Sequence, residues 1–209
     1  MATAPTPADA ARAPRGEARR EHLLEATLRV VAEQGVAAVT HRRVAAEAGL
    51  PLAATTYWFA SKEELMAGAY TLSLERDLVR LAALAAEAGA PGTRTPDEAA
   101  RALEGVVGLA PNDRQESFAV VLLWLEAARI PGVAARSHEW DDACAATCAA
   151  WLRAAGCPEE HLDEAGQALS ATLDGLLIRG LAAGEADVLD DVARPALRRL
   201  VAALGHQRT

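Results

Sequence analysis

Residues 35–65 read GVAAVTHRRVAAEAGLPLAATTYWFASKEEL, and the stretch divides itself into two short helices set at an angle. Thr40 stands just before HRRVAAEA, where its hydroxyl can accept a backbone N–H of the first helical turn, so a helix is expected from about His41 to Ala48. Gly49 can take a positive φ without steric cost, and Pro51 suits the first turn of a new helix but cannot continue the old one. Val44, Ala45, Ala48, Leu50 and Ala54 have the spacing to fill the angle between the helices. Thr55, Thr56, Tyr57 and Trp58 then fall near the outer end of the second helix.

The pattern G-x4-T-x3-V-A-x2-A-G-x-P, carried by Gly35, Thr40, Val44, Ala45, Ala48, Gly49 and Pro51, runs without a gap into Y-W-F-x-S-K-x2-L at Tyr57 to Leu65. This resembles the TetR/AcrR family of one-component regulators. The resemblance implies an all-α chain of about nine helices: a three-helix N-terminal helix-turn-helix domain that binds DNA, then a C-terminal helical domain for effector binding and dimerisation. Three positions depart from the family's usual pattern. Pro51 sits where Ser or Thr is common, Ala53 where Gly is common, and Thr56 where an aromatic residue often contacts the DNA backbone, which leaves Tyr57 as the nearest substitute.

With 209 residues, 51% of them hydrophobic, the chain is long and apolar enough for a real core and is not a disordered protein. No segment approaches the ~20 uninterrupted apolar residues of a membrane helix, and the N-terminus lacks an apolar signal core, so a cytoplasmic protein without membrane contact is expected. Cys144, Cys148 and Cys157 are odd in number and clustered late, which points to reduced thiols. A net charge of −8 is unexpected for a DNA binder, but its distribution is uneven. Residues 1–62 carry eight basic against six acidic side chains, and the remainder carries thirteen against twenty-three. A locally basic head on an acidic body, which phosphate would repel, fits that asymmetry.

In chain order, residues 1–15 lack periodicity and are expected as a flexible arm, 16–62 as the DNA-binding domain, and 63–209 as the effector-binding and dimerisation domain. The first helix should span Gly16 to Gln34, with Leu24, Leu28 and Val31 on one stripe and Leu23, Thr27 and Val30 beside it. Ser61 and Glu64 form a capping box for a rod-like helix reaching about Ala88. After the linker at residues 89–96, helices are expected over 97–109, 113–129, 133–155, 159–183 and 189–204, with Pro195 kinking the last or marking its true start.

The candidate DNA contacts are Thr40, Arg42, Arg43, Leu52, Ala53, Thr55, Thr56, Tyr57 and Lys62. Thr40, the two arginines and Lys62 suit phosphate. Leu52 and Ala53 lie at the end entering the major groove, and threonine can meet a thymine methyl or a base edge. Tyr57 and Trp58 are expected to split, one offering its polar tip to phosphate while the other packs; by the family resemblance Tyr57 is the phosphate contact. In the body, the resemblance supplies the expectation of a pocket for a small apolar or aromatic effector but no residues. Groups that could line it are Phe118, Leu122, Trp124, Leu125, Trp140, Trp151 and Leu177, with polar points at Glu126, Arg129, Asp141, Asp174 and Arg179.

The last two helices are expected to build a homodimer. Leu162 to Leu181 are interleaved with the small Gly166, Ser170, Gly175 and Gly180, and Leu197, Leu200, Val201 and Leu204 follow. The function expected is that of a ligand-responsive repressor which leaves its operator when the effector binds. Neither a cofactor nor an enzymatic activity is expected, since nucleophile elbow, phosphate-binding glycine loop and zinc-type ligand pairs are lacking. The alternatives are a helical enzyme, or a metal or redox sensor, using Cys144, Cys148 and His138, with Ser117 and Asp141 as further candidates. A helical adaptor that has kept the head without its DNA function is a third.

Overall fold

The computed structural model describes residues 7–104, 106, 114–126, 129–183 and 194–205. Among these residues there are nine α-helices and no strand: α1 Pro7–Gln34, α2 His41–Glu47, α3 Leu52–Trp58, α4 Lys62–Ala86, α5 Pro96–Leu103, α6 Arg114–Leu125, α7 Pro131–Ala154, α8 Leu162–Ala183 and α9 Arg194–Gly205. None of them is long and apolar enough to cross a membrane. Residues 107–113, expected to end one helix and open another, lie outside the described residues, as do residues 1–6 of the expected arm.

The chain forms two compact units, residues 1–73 with 119–135, and residues 74–118 with 136–209. In the first, α1 starts at Pro7, nine residues before the expected Gly16. The alanine-rich run PADAARA favours helix. Both expected stripes of α1 are buried: Leu23, Leu24, Thr27, Leu28, Val30 and Val31. The Thr27 hydroxyl is satisfied by the Leu23 carbonyl at 2.8 Å. Gly35, at φ 80°, ends the helix and leads through a 3-10 turn at Val36–Ala38 to α2. On the other side of the unit, Gly68 of α4 lies so close to α1 that an added Cβ would stand 2.9 Å from the Leu24 side chain.

The second unit is a helical bundle whose core joins Leu81, Leu103, Cys144, Cys148, Trp151, Leu152, Leu169, Leu173, Leu197 and Val201. Helix α5 opens with a full capping box: the Glu98 amide donates to the Thr95 hydroxyl at 3.2 Å, and the Thr95 amide donates to the Glu98 carboxylate at 2.8 Å. The T-P-D-E pattern was readable in the sequence and places the start at Pro96. The Thr95 amide and hydroxyl both donate to the Glu98 carboxylate, each at 2.8 Å, and hold its carboxyl below the usual range. Ser61 and Glu64 cap α4 less symmetrically. The Glu64 amide donates to the Ser61 hydroxyl at 3.1 Å, while its carboxylate accepts from Ala60, one residue before the cap.

The C-terminal end of α4 leaves carbonyls without helical partners. They are filled from elsewhere in the unit: the Trp151 indole donates to Leu84 at 3.0 Å, and Arg94 donates to Ala88 at 3.1 Å and Glu87 at 2.9 Å while lying over the Trp151 ring. A cation at this end also suits the helix dipole. Helix α8 packs against α7 at Gly166, where an added Cβ would stand 2.7 Å from the Ala145 carbonyl oxygen. Pro195 is the second residue of α9; residues 189–193, where the expected helix opens, lie outside the described residues. Helix α9 packs on α5 and buries Leu197 and Val201 within the chain, so these two, expected at a dimer interface, are core residues.

Candidate nucleic-acid interface

The α2–turn–α3 segment follows from local chemistry. The Thr40 hydroxyl accepts from the Arg43 amide at 3.1 Å, which caps α2 as expected. Gly49, at φ 62°, closes the turn, with the Gly49 amide on the Ala46 carbonyl at 3.1 Å and the Leu50 amide on Ala45 at 2.9 Å. Pro51 holds the N-cap of α3 at φ −61°, one residue earlier than the first turn. Val44, Ala45 and Ala48 are buried in the angle between the helices.

Seven residues make two turns, so α3 has one inner and one outer face. The outer face exposes Leu52 at 49%, Ala53, Thr56 and Tyr57 at 76%. Thr55 is a correction: expected to read DNA, it is completely buried. Its hydroxyl donates to the Leu52 carbonyl at 2.8 Å and lies 3.5 Å from that of His41, so it satisfies itself within the head and holds α3 against α2. Thr56, one residue on, is exposed.

The two aromatic residues differ in exposure. The exposed Tyr57 ring stands edge-on to Trp58, with centroids 4.9 Å apart and planes at 90°. Trp58 is half-buried and packs near Gly16 of α1, 3.4 Å from where a Cβ would stand. Thr40, Arg42, Arg43 and Lys62 are all exposed. Arg43 is not wholly committed to solvent, since its guanidinium donates to the Gln34 side chain of α1. The Thr40 hydroxyl uses its oxygen in capping and keeps its own proton for an outside acceptor.

One residue of this head escaped the sequence reading. His22 Nε2 lies 3.0 Å from the carbonyl of Ala48, twenty-six residues later in the chain, and no periodic or motif signal marks it. Arg29 with Glu47, at 2.8 Å, is a second tie between α1 and α2.

The effector candidates are divided between the units. Leu122, Trp124, Leu125 and Glu126 belong to the first, where Leu125 is 58% exposed and Glu126 accepts from Arg129 at 3.0 Å. Phe118, Trp140, Asp141, Trp151, Asp174 and Leu177 belong to the second. Trp151 is a correction: its ring is buried in the core and its N–H is spent on α4, so it has no polar group left for a ligand. Trp140 and Leu177 border the same core while remaining partly open. Burial pushes the Asp174 carboxyl up to about 6, the nearby Asp141 adds to the rise, and a hydrogen bond from the Trp140 side chain opposes it. Burial raises Asp141 as well, against the pull of His138.

The grouping of His138 with Cys144 and Cys148 does not form. The two cysteines are buried, whereas the His138 side chain is 87% exposed. Among the described residues no three His, Cys, Asp or Glu side chains gather as metal ligands. Burial pushes both thiols up, Cys148 to about 12, which is the reverse of what a redox-sensing thiolate needs.

Residues 23–69 match the family described as bacterial regulatory proteins, tetR family, and residues 94–203 match the tetracyclin repressor-like C-terminal domain. The HTH-type transcriptional regulator BetI of Rhizobium meliloti (strain 1021) is 31% identical over 162 residues, 77% of each chain. The HTH-type transcriptional regulator PksA of Bacillus subtilis (strain 168) is 42% identical over 60 residues, which span 29% of each chain. Among solved structures, the multidrug binding protein EbrR complexed with imidazole is 31% identical, covers 87% of this chain and 94% of its own, and superposes with a TM-score of 0.62. EbrR has also been solved with ethidium, proflavin and malachite green.

Proposed function

The chain belongs to the TetR family of helix-turn-helix transcriptional regulators, and from that membership we propose that it is a homodimeric repressor, working in the cytoplasm, that a small effector releases from operator DNA. Residues 16–62 form the DNA-binding domain in this reading and 63–209 the effector-binding and dimerisation domain. The observation that carries the DNA half is the outer face of α3. Leu52, Ala53, Thr56 and Tyr57 stand exposed on a helix anchored from its inner side by Thr55, with Thr40, Arg42, Arg43 and Lys62 exposed on adjoining segments. Leu52, Ala53 and Thr56 take the base edges, and Tyr57, Thr40 and Lys62 take phosphates. Two heads matching two half-sites about one helical turn apart, ~34 Å, require a two-fold partner. The outward side of α8, with Gly175 and the exposed Ile178, suits that contact.

For the effector we propose an aromatic organic cation seated in the second unit. Trp140 and Leu177 supply apolar area there, and Asp174 and Asp141 supply negative charge. Three of the four compounds solved with EbrR, ethidium, proflavin and malachite green, are aromatic cations, which favours this class. Helix α4, from Lys62 to Ala86, has residues in both units, and in this reading it is the element through which effector binding is passed to the head.

The test begins with selection of a duplex from a randomised pool by the wild-type protein. Affinity for that duplex should fall steeply as salt is raised. Tetraphenylphosphonium, an aromatic cation that does not intercalate, should release the protein, and Asp174→Asn should weaken the compound's binding about ten-fold or more. Failure to enrich any duplex refutes the DNA half. Release that is indifferent to Asp174→Asn and Asp141→Asn refutes the proposed effector class.

A further inference from the structure

We infer that His22 is a positioning residue for DNA reading: its imidazole, reaching across from α1, grips the carbonyl at the end of α2 and so fixes the direction in which α3 leaves the turn. The inference rests on the reading that α3 meets the bases.

A seven-residue helix such as α2 ends with several carbonyls that have no helical partner. The turn itself serves three of them. Val44 accepts from the Ala48 amide at 2.9 Å, Ala45 from Leu50 at 2.9 Å and Ala46 from Gly49 at 3.1 Å. The Ala48 carbonyl lies beyond their reach, and His22 Nε2 meets it at 3.0 Å. A carbonyl oxygen can only accept, so Nε2 carries the proton of this bond in either charge state of the ring.

The position of that carbonyl matters because it belongs to the peptide joining Ala48, at ψ −6°, to Gly49, at φ 62°. Gly49 has no side chain to restrict the plane of this peptide, which is therefore held by its two hydrogen bonds, the Gly49 amide on Ala46 at 3.1 Å and the Ala48 carbonyl on His22 at 3.0 Å. Only Leu50 and Pro51 separate Gly49 from the first residue of α3, and the ring of Pro51 passes the direction on without slack. Seven residues of helix are ~10 Å long, so a tilt of ~10° at the turn moves the far end of α3 by ~2 Å. A displacement of that size breaks hydrogen bonds to base edges.

Two other polar ties between α1 and α2, Arg29 with Glu47 and Arg43 with Gln34, act on exposed side chains of α2 and weaken with salt where they are ionic. They do not touch the turn peptide. Thr55 holds α3 to the opposite end of α2 through His41.

His22→Ala and His22→Gln test the inference on the duplex that the wild-type protein selects from a randomised pool, with a scrambled duplex as control. His22→Ala should bind the selected duplex about five- to ten-fold more weakly, because the untethered turn holds α3 in the reading direction only a fraction of the time. Its salt slope and its affinity for the scrambled duplex should stay as in the wild type, and its thermal melt should fall by only a few degrees, as one hydrogen bond lost from the fold implies. His22→Gln, whose Nε2–H can reach the same carbonyl, should recover most of the loss. Equal binding by the alanine variant overturns the inference. So does loss on both duplexes with a slope shallower by about one, which marks a phosphate contact, or failure of the glutamine to rescue. If the wild type enriches no duplex, the DNA-reading premise falls, and the inference with it.

Discussion

Tyr57→Phe removes one hydroxyl from the head and leaves the rest in place. The ring is 76% exposed, so no buried area is lost, and the edge-on contact with Trp58 at 4.9 Å survives in phenylalanine. Stability should therefore stay within about 0.5 kcal/mol of the wild type. A hydroxyl that donates to a phosphate makes a bond to a charged acceptor worth about 1.5–3 kcal/mol, so binding should weaken about ten- to a hundred-fold per head. Tyrosine is neutral, and the number of neutralised phosphates does not change. The plot of log affinity against log salt should then drop in parallel with the wild-type line. Lys62→Ala should behave differently: removing one phosphate contact makes the slope shallower by about 0.9. Fluorescence anisotropy with a labelled selected duplex, read at several salt concentrations, separates the two cases. A Tyr57→Phe line that overlies the wild type, or one that tilts, would refute the assignment of Tyr57 to a phosphate.

Gly166→Ala should destabilise the protein by about 1–3 kcal/mol, because the new methyl would stand 2.7 Å from the Ala145 carbonyl and the overlap outweighs the roughly 1 kcal/mol gained in helix propensity. A thermal melt should fall by several degrees, and an unchanged or raised midpoint would contradict the close approach of α8 to α7. Asp174, whose carboxyl is raised to about 6 in the folded protein, binds its proton more readily folded than unfolded. Stability should therefore rise as pH falls from 7 through 6, and Asp174→Asn should flatten this dependence in urea titrations. Cys144 and Cys148 should react with a maleimide far more slowly in the native protein than in denaturant, since burial both covers them and suppresses the thiolate.

The punctuation of the head was legible in residues 35–65. Thr40 caps, Gly49 turns and Pro51 restarts because each acts through its own backbone angles or through an amide three residues away. The same logic would have placed the start of α5 at Pro96, since Thr95 and Glu98 carry the pattern of a capping box. The stripes of α1 were legible too, because their spacing repeats with the helix. The assignment of Thr55 failed for the opposite reason. On a helix of two turns the inner and outer faces are chosen by what packs against it, and adjacent threonines offer no periodicity to decide between them.

What the sequence determined by itself is the family, the all-α class and the order of helices, all of which rest on short-range interactions that neighbouring residues complete among themselves. The tertiary structure alone decided how individual side chains are spent. Trp151 serves the end of α4 and not a ligand, Leu197 and Val201 pack on α5 and not on a partner, and His22 reaches the turn at Ala48. These roles depend on contacts between segments far apart in the chain, and burial and hydrogen-bond partnership across such distances exist only once the helices have packed.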